Sequence, residues 1–332
     1  MPMIEIDRLR KRFGPFTAVD GVTFQVERGE VLGFLGPNGA GKSTTMKMAA
    51  GFLAPTEGSV RICGHDVADA PLEAKRMLGY LPEGAPGYGD MTPRGFLGFI
   101  ADIRRLKGAA RRQAIDRVID QVEIEGVLEQ PIDTLSKGFK RRVGVAQAIL
   151  HDPQVLILDE PTDGLDPNQK HEVRNLIRRM GTDKAIVIST HILEEVEAVC
   201  TRAMIIDRGR IVADGTPVLL AESSVLHNAV SLRLKRPVAD AGDALAALAR
   251  VERVEVDERL PPGIGWTVYP RDRASIIADV GELARLQGWQ VDRLNTESGR
   301  LDDVFRRLTT RDTVLLAAKP AGAAEPTPGV AP

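Results

Sequence analysis

The sequence predicts an α/β fold with a parallel sheet at its centre, followed by a smaller unit of helices and strands. Two continuous apolar runs, at 155–158 and 185–189, have the composition of strands that are buried on both faces of a parallel sheet. A helical pattern at about 168–180 separates them, and such alternation is typical of α/β proteins. Near residue 220 the composition changes, which indicates a second unit.

Composition limits the kinds of protein that this sequence can specify. The 332 residues suit about two domains, and the 43% of hydrophobic residues suffices for a substantial core. The formal net charge of −2 gives no indication of nucleic-acid binding. Cys63 and Cys200 lack a metal-ligand spacing, so we expect two reduced thiols. Because no stretch approaches roughly 18 apolar residues and the first residues lack a secretion signal, we expect a cytosolic protein.

The first part of the chain is predicted to contain strands, then a glycine-rich loop, then helices. Short β-favouring runs at 4–6, 22–26 and 31–35 are separated by turns that contain glycine. The glycine-rich loop at 36–43 leads into a helical pattern from 43 to about 50. Residues 94–130 are largely helical in pattern, with apolar positions three to four residues apart.

The second part of the chain has the element order β-α-β-β-α-β, which is that of a small ferredoxin-like unit. The predicted elements are a strand at 230–234, a helix at 241–250, strands at 251–256 and 265–269, a helix at 273–286 and a strand at 289–294. One more helix is predicted at 301–309. Proline, alanine and glycine dominate from 319 onward, which favours a disordered tail.

The glycine-rich loop matches the pattern G-x-x-x-x-G-K-[ST] of loops that bind nucleoside triphosphates. Phosphate oxygens must lie against backbone N–H groups, so the side chains there must be small, and the following helix presents its N-terminus to the anion. We expect Lys42 to reach the β- and γ-phosphates and the Ser43 hydroxyl to ligate Mg²⁺. The residues predicted to bind the nucleotide are Gly36, Pro37, Asn38, Gly39, Ala40, Gly41, Lys42, Ser43 and Thr44.

Two acidic residues follow the first buried apolar run. Asp159 and Glu160 come directly after 155–158, and ligands of open α/β sheets bind at the carboxyl ends of the strands. Asp159 is therefore placed to orient Mg²⁺, and Glu160 to polarise a water for attack on the γ-phosphate. The alternative is a solvated acidic pair at a turn, and the complete phosphate-loop motif disfavours it.

With these motifs established, residues 135–139 make the chain resemble the ATPase subunits of ABC transporters. This segment is similar to that family's signature sequence, usually LSGGQ. Ser136 and Gly138 are kept, whereas Lys137 and Phe139 replace a glycine and the glutamine. The phosphate loop and the signature together are far more diagnostic than either motif alone.

Further motifs follow in the order of that family, over about residues 3–220. Residues 161–166 resemble the D-loop, and His191 occupies the position of the switch histidine. Phe13 corresponds to the aromatic residue that stacks on adenine. Glu83 lies at the Q-loop position, where many members have glutamine.

The variant motifs and the C-terminal unit resemble one branch, the exporters linked to drug resistance and gliding motility. The resemblance implies a nucleotide-binding domain over 1–220, with its mixed sheet, a β-rich N-terminal subdomain and a helical signature subdomain at about 84–150. It leaves a ferredoxin-like accessory domain at 221–310 and a disordered tail at 311–332.

The resemblance also implies a mechanism. Two copies of the chain would bind head to tail, with each ATP between one phosphate loop and the partner's signature, where Ser136 and its helix supply further donors. Glu160 would act as the base, and His191 would hold the γ-phosphate and the attacking water. Asp166 would help to order the opposite site.

The expected partner is a separately encoded permease that spans the membrane, with the ATPase peripheral on the inner face of the membrane. The resemblance implies that the groove from 77 to about 105 receives a short helix of that permease. Phe96, Phe99 and Ile100 are candidates for an exposed contact patch there, and ordinary core packing is at least as probable an assignment for each.

Two assignments stay open at this point. Glu83 either ligates Mg²⁺ or its water, or only couples to the membrane partner. Lys137 either adds positive charge near the phosphates or faces solvent. The basic run 137–142 is expected to be a solvated helix face and makes no case for DNA binding.

Two other functions compete with a transport ATPase. A soluble regulatory ABC protein is disfavoured because the chain has one nucleotide domain and no long coiled-coil insertion. A nucleotide-binding scaffold with little turnover is disfavoured by the presence of Glu160 and His191.

Overall fold

A computed structural model describes residues 1–84 and 87–309 of the chain. Its strands are β1 (Ile4–Phe13), β2 (Phe16–Val26), β3 (Val31–Leu35), β4 (Glu57–Ile62), β5 (His65–Asp66), β6 (Leu78–Leu81), β7 (Val155–Asp159), β8 (Ala185–Thr190), β9 (Arg202–Asp207), β10 (Arg210–Gly215), β11 (Val230–Leu234), β12 (Val251–Val256), β13 (Gly265–Pro270) and β14 (Val291–Thr296). Its α-helices are α1 (Lys42–Ala49), α2 (Pro71–Met77), α3 (Pro93–Ile103), α4 (Gly108–Val122), α5 (Lys137–Ile149), α6 (Pro167–Met180), α7 (Leu193–Val199), α8 (Pro217–Glu222), α9 (Ala241–Ala246), α10 (Ile277–Leu286) and α11 (Leu301–Thr309). The tail predicted at 311–332 lies outside the described residues.

The central sheet confirms the predicted α/β core. Its strand order is β10-β9-β3-β8-β7-β6, and every neighbouring pair is parallel except β9–β10. All residues of β3, β7 and β8 are buried, as expected for strands that are covered on both faces. Because parallel strands end at one edge, the register that pairs Asp159 with Ser189 brings two predicted site loops together.

An antiparallel sheet with the order β2-β1-β4-β5 forms the N-terminal part. Helix α1 contributes Met46 and Met48 to one hydrophobic core with residues of both sheets. The first strand is longer than predicted, since β1 continues to Phe13 instead of ending near residue 6. Backbone pairing and ion pairs of Arg10 with Asp20 and Glu57 hold this extension. The sequence there has no alternating apolar pattern from which a strand could be predicted.

The helical subdomain consists of α3, α4 and α5, which pack around a shared apolar core. The helical pattern predicted at 94–130 is confirmed as far as Val122, where α4 ends, and it is interrupted between α3 and α4. Arg105 and Gly108 both adopt positive φ there, at 60° and 56°. A left-handed residue cannot continue a right-handed helix, so the chain turns at this point.

The C-terminal sheet has the order β12-β13-β11-β14 with antiparallel pairs throughout, which is the ferredoxin-like arrangement that the element order predicts. Helix α11 does not join this unit's core. Leu301 and Val304 instead pack with Leu35, Ile205 and Leu220 of the nucleotide-binding part. The last described helix therefore returns to the first unit, and the proposed boundaries at 220 and 310 stay predictions.

His151 lies two residues after the end of α5, where the helical subdomain contacts the central sheet. Its Nε2 is 3.1 Å from the carbonyl oxygen of Leu78, which requires an N–H on that nitrogen. Its Nδ1 is buried and has no hydrogen-bond partner among the described residues. Burial, followed by the charge of Arg104, lowers the pKa of His151 from 6.5 to about 4.

We predict that His151 makes the fold sensitive to acid. A folded-state pKa below the unfolded one adds stability that is complete above about pH 6.5 and is lost as the pH falls toward 4. In His151→Gln, whose amide can still donate to Leu78, this loss is absent. Urea unfolding at about pH 7.5 and about pH 5 should show a wild-type loss about 2 kcal/mol larger than that of the variant. An equal loss in both proteins would contradict the assignment.

Candidate active site

The phosphate loop leaves the end of β3 and enters α1, and its glycines are required by the backbone. Gly39 and Gly41 have φ values of 82° and 106°, which side chains rarely allow. A Cβ on Gly36 would lie 2.5 Å from the carbonyl oxygen of Ile206, and one on Gly41 would lie 2.6 Å from that of Ala18. The loop therefore packs against β9 and β2, and its glycines cannot be replaced without moving it.

Lys42 is the first residue of α1 and is almost wholly buried. Its ammonium donates to the carbonyl oxygens of Gly36 and Pro37, at 2.7 Å and 3.2 Å. Burial lowers the pKa of Lys42, and the nearby Glu160 and Asp159 oppose that shift. The Lys42 ammonium is thus held inside the loop, where it is predicted to bind the phosphates of the nucleotide.

Asp159 is fully buried at the end of β7. Its Oδ1 accepts a close hydrogen bond from Ser189 and lies 3.4 Å from the Ser43 hydroxyl. Its Oδ2 has no hydrogen-bond partner among residues 1–84 and 87–309. A buried carboxylate oxygen without a partner, beside a hydroxyl at a phosphate loop, is the donor set that suits Mg²⁺.

Glu160 and His191 face each other across the same edge of the sheet. His191 Nδ1 lies 3.0 Å and 3.1 Å from the two carboxylate oxygens of Glu160. Burial raises the pKa of Glu160, and the hydrogen bond from His191 opposes that rise. The carboxylate side chain is 12% exposed and the imidazole 50% exposed, so the pair borders solvent. The predicted base and switch histidine are therefore in direct contact.

A cavity of about 400 Å³ lies beside the phosphate loop. Phe13 forms one wall and is 49% exposed, with the Lys11 ammonium 5.3 Å from its ring centre. The exposed side chain of Glu83 also lines this cavity. The remaining lining residues are Phe16, Ala18, Asn38, Gly39, Gly41, Lys42, Ser43, Thr44 and Glu160. Phe16, which is 61% exposed, is a second candidate for stacking on a base that the sequence did not single out.

The signature and D-loop residues lie outside this cavity. Ser136 caps α5 and accepts from the Phe139 N–H at 3.3 Å, and its side chain is exposed. A Cβ on Gly138 would lie 2.4 Å from the Gln169 amide oxygen, so this glycine has a packing role. Asp166 caps α6 in a reciprocal capping box with Gln169. Ser136, Gly138 and Asp166 are therefore not among the residues that line the cavity beside the phosphate loop.

The basic run 137–142 is not the solvated helix face that the sequence analysis expected. Arg141 is 4% exposed, and its guanidinium donates to backbone carbonyl oxygens near the site. The side chain of Arg142 is 11% exposed and is closely hydrogen-bonded to Glu172. The charges of this run suggested exposure, but α5 presents two of them to carbonyls and a carboxylate at its buried side.

A second feature missed from the sequence is the buried carboxylate of Glu195. It accepts a hydrogen bond from Thr190 at 2.9 Å and a closer one from Thr162. Thr162 belongs to the D-loop segment, and Thr190 directly precedes His191. Glu195 therefore joins two loops of the site. In the sequence, only its position four residues after His191 indicated that Glu195 lies near the site.

Comparison with known proteins decides the family. A model of the family described as ABC transporter matches residues 19–163. The chain is 35% identical over 310 residues to a Nod factor export ATP-binding protein I of Paraburkholderia xenovorans, across 93% of this chain and 97% of that protein. The chain belongs to the ABC transporter ATP-binding family. It is a transport-coupled ATPase that binds and hydrolyses ATP.

Two further matches agree with that assignment. The chain is 37% identical over 219 residues to the probable multidrug ABC transporter ATP-binding protein YbhF of Escherichia coli, which covers 65% of this chain and 37% of that protein. A solved structure titled as the ATP-binding subunit of an ABC transporter has a TM-score of 0.61 and 32% identity, over 66% of this chain and 91% of that one. The predicted fold and activity are thus confirmed.

We predict that Lys42→Ala weakens ATP binding by about 10- to 100-fold, because it removes a charge-assisted hydrogen bond to the phosphates. Equilibrium binding of a fluorescent ATP analogue measures the change. Lys47→Ala is the matched control, since Lys47 is an exposed lysine of the same helix. Unchanged affinity in a folded Lys42 variant would contradict the role assigned to the loop.

Glu160→Gln should lower turnover by at least about 100-fold, the scale of a positioned general base, and leave ATP affinity within about threefold. Phosphate release and ATP binding, measured on one preparation, separate the two effects. Appreciable residual hydrolysis would remove Glu160 from the role of base.

Proposed function

We propose that the chain powers export by a separately encoded membrane permease, and that it acts as a homodimer that closes on ATP. The observation that carries the dimer is the incomplete site. The cavity at the phosphate loop includes neither Ser136 nor Gly138, although the family pattern assigns both to the nucleotide. Relatives named for Nod factor export and as a probable multidrug transporter support the direction of transport.

The exposed end of α5 suits the second half of such a site. Ser136 is exposed as the N-cap, and α5 begins directly after it with Lys137, so a positive helix end and a lysine face solvent together. A triphosphate held by one copy's loop presents its outer oxygens to that helix end in another copy. Asp166 lies at the start of α6, where the proposed dimer would place it near the opposite site.

Mg²⁺ is the metal that the site fits. Ser43 and Asp159 would hold it, because the unpartnered Asp159 oxygen and the nearby hydroxyl offer the hard oxygen donors that Mg²⁺ requires. No group of three or more histidine, cysteine or acidic residues in the described part of the chain is arranged as a metal cage. That agrees with Mg²⁺, which takes most of its ligands from phosphate and water. When bound, it neutralises charge on the phosphates.

The residues of the chain divide the hydrolysis step between them. Glu160 accepts a proton from water that attacks the γ-phosphate, and its burial raises the pKa of the carboxyl toward the range of a useful base. His191 donates to the Glu160 carboxylate through Nδ1 and orients it, and when both ring nitrogens carry protons its Nε2 can donate to the γ-phosphate. Lys42 binds the β- and γ-phosphate oxygens and stabilises the charge that develops as the bond breaks.

A groove between the N-terminal part and the helical subdomain is the proposed permease site. Its volume is about 890 Å³. The exposed large hydrophobic residues that line it are Phe52, Leu72, Tyr88 and Ile103. Of the patch predicted from the sequence, Ile100 lines the groove partly exposed, Phe99 is 37% exposed, and Phe96 is buried with only a small part at the groove wall. Such a concentration of apolar surface is typical of a binding site for another protein.

The location follows from that partner. Within the described residues, no helix has the length and hydrophobicity to cross a bilayer. We infer that the chain lies at the inner face of the membrane because the permease holds it there. A soluble regulatory role predicts instead that the permease does not make the protein sediment with membranes.

Phe52→Ala tests the groove. An exposed aromatic residue in a docking groove often contributes about 2 kcal/mol, so permease binding should weaken by about 30-fold while the ATPase activity of the free protein stays unchanged. Co-sedimentation with proteoliposomes that contain the permease measures binding. Leu286→Ala is the matched control, since Leu286 is 67% exposed and Phe52 69% exposed. Equal binding of both variants would contradict this site.

A further inference from the structure

Arg141 is a buried arginine whose donors reach two separate segments of the active site. One terminal nitrogen lies 3.3 Å from the carbonyl oxygen of Pro82. The other donates to the carbonyl oxygen of Asp159 at 3.1 Å and more closely to that of Glu160. The residue is 4% exposed, so these contacts replace water around its charge. A side chain of the signature helix α5 therefore binds the backbone on both sides of the site.

The contact with Glu160 falls on a strained residue. Glu160 has a φ of 51°, in the left-handed region that non-glycine residues avoid, and such a conformation persists only where its surroundings hold it. Its N–H donates to the Ser189 carbonyl at 3.0 Å. Its own carbonyl accepts from Asp163 N–H at 3.2 Å and from Arg141. The guanidinium thus fixes the peptide from which the carboxylate of the base extends.

The contact with Pro82 lies where two cavities share a wall. Pro82 lines the groove between the subdomains, and the next residue, Glu83, lines the nucleotide cavity. The same helix also holds the preceding strand, since Gln147 donates to the Tyr80 carbonyl at 2.8 Å. A displacement of the groove wall therefore acts on the same guanidinium that holds Glu160.

The charges around Arg141 explain why a cation is kept there despite its burial. Burial lowers the pKa of the guanidinium, and the charges of Asp163, Asp159, Glu160 and Glu83 oppose that shift. Arginine suits this position because its planar group carries five donors in a fixed array. A lysine in the same place supplies three donors from one atom and cannot span the separate carbonyls equally well.

We propose that Arg141 is a positioning residue for hydrolysis, which sets the backbone of Glu160 and links it to the groove wall at Pro82. The link to the groove rests on the proposed permease site, whereas the effect on basal hydrolysis does not. Arg141 does not itself line the nucleotide cavity, and its contact with a lining residue is through the backbone carbonyl of Glu160, so it acts through Glu160.

The test compares Arg141→Gln and Arg141→Lys with Arg117→Gln. Arg117 is the matched control because it also donates to backbone carbonyls at the end of α5, of Leu150 at 2.9 Å and Ile149 at 3.5 Å, without reaching the site. Basal kcat, KM for ATP and the thermal midpoint are measured on the full chain. A misplacement of about 1 Å at a catalytic group lowers the rate by about 100-fold.

We expect kcat to fall by about 10- to 100-fold in Arg141→Gln with KM within about threefold. Arg141→Lys should restore part of kcat, and Arg117→Gln should keep it. A folded Arg141→Gln protein with unchanged kcat would overturn the proposal. So would a loss of kcat that Arg117→Gln shares, or a failure of both Arg141 variants to fold, since either assigns Arg141 to stability alone.

A second arm tests the link to the groove. In proteoliposomes with the permease, the wild type and Arg117→Gln should show the same stimulation of ATPase activity, and Arg141→Lys should show less than half of it. Equal stimulation in Arg141→Lys would overturn the link to Pro82. If the wild type itself is not stimulated, the proposed permease partnership fails, and the basal kcat comparison still decides the role of Arg141.

Discussion

The fold of the first unit depends on one constraint, which is that the loop at 36–43, predicted to bind phosphate through its backbone N–H groups, must pack closely against the backbone of two sheets. Glycines at positive φ shape that loop, and contact with the carbonyl oxygens of Ala18 and Ile206 leaves no room for side chains at Gly41 and Gly36. The loop is consequently held between the N-terminal sheet and the central sheet. Helix α1 continues from it into the core that joins both sheets. The residues predicted to bind the nucleotide thus also pack the first unit.

The parallel register of the central sheet positions the acidic residues and the histidine of the predicted site. Because β7 and β8 run side by side, Asp159 is paired with Ser189, and Glu160 and His191 follow at the same edge. Burial shifts the pKa values of two charged groups there: it raises the pKa of Glu160 and lowers that of Lys42. Each group is shifted toward its neutral form, and each is opposed by the charge of the other. The arrangement keeps an acid and a cation close together in a site that borders solvent.

The sequence predicted those strands and loops whose structure is determined by residues close to them along the chain. The buried runs before Asp159 and in β8, and the glycine-rich loop, each carry their signal within a few residues. What could not be predicted depends on long-range contacts. Arg141 reads as one more charge of a basic run, and only the packing of α5 on β7 turns it toward carbonyls. The contacts of Glu195 with two loops are likewise set by tertiary packing.

The account rests on the proposed nucleotide shared by two copies, since the exposed start of α5 does not line the cavity at the phosphate loop of its own chain and is proposed to complete that of another. Sedimentation velocity of Glu160→Gln with Mg²⁺ and ATP tests this most directly, with ADP and with an added Ser136→Arg substitution as controls. The account predicts a dimer of about 72 kDa, twice the 36.0 kDa chain, with ATP only, and a monomer in both controls. A protein that binds ATP and stays a monomer, with and without its permease, would contradict it.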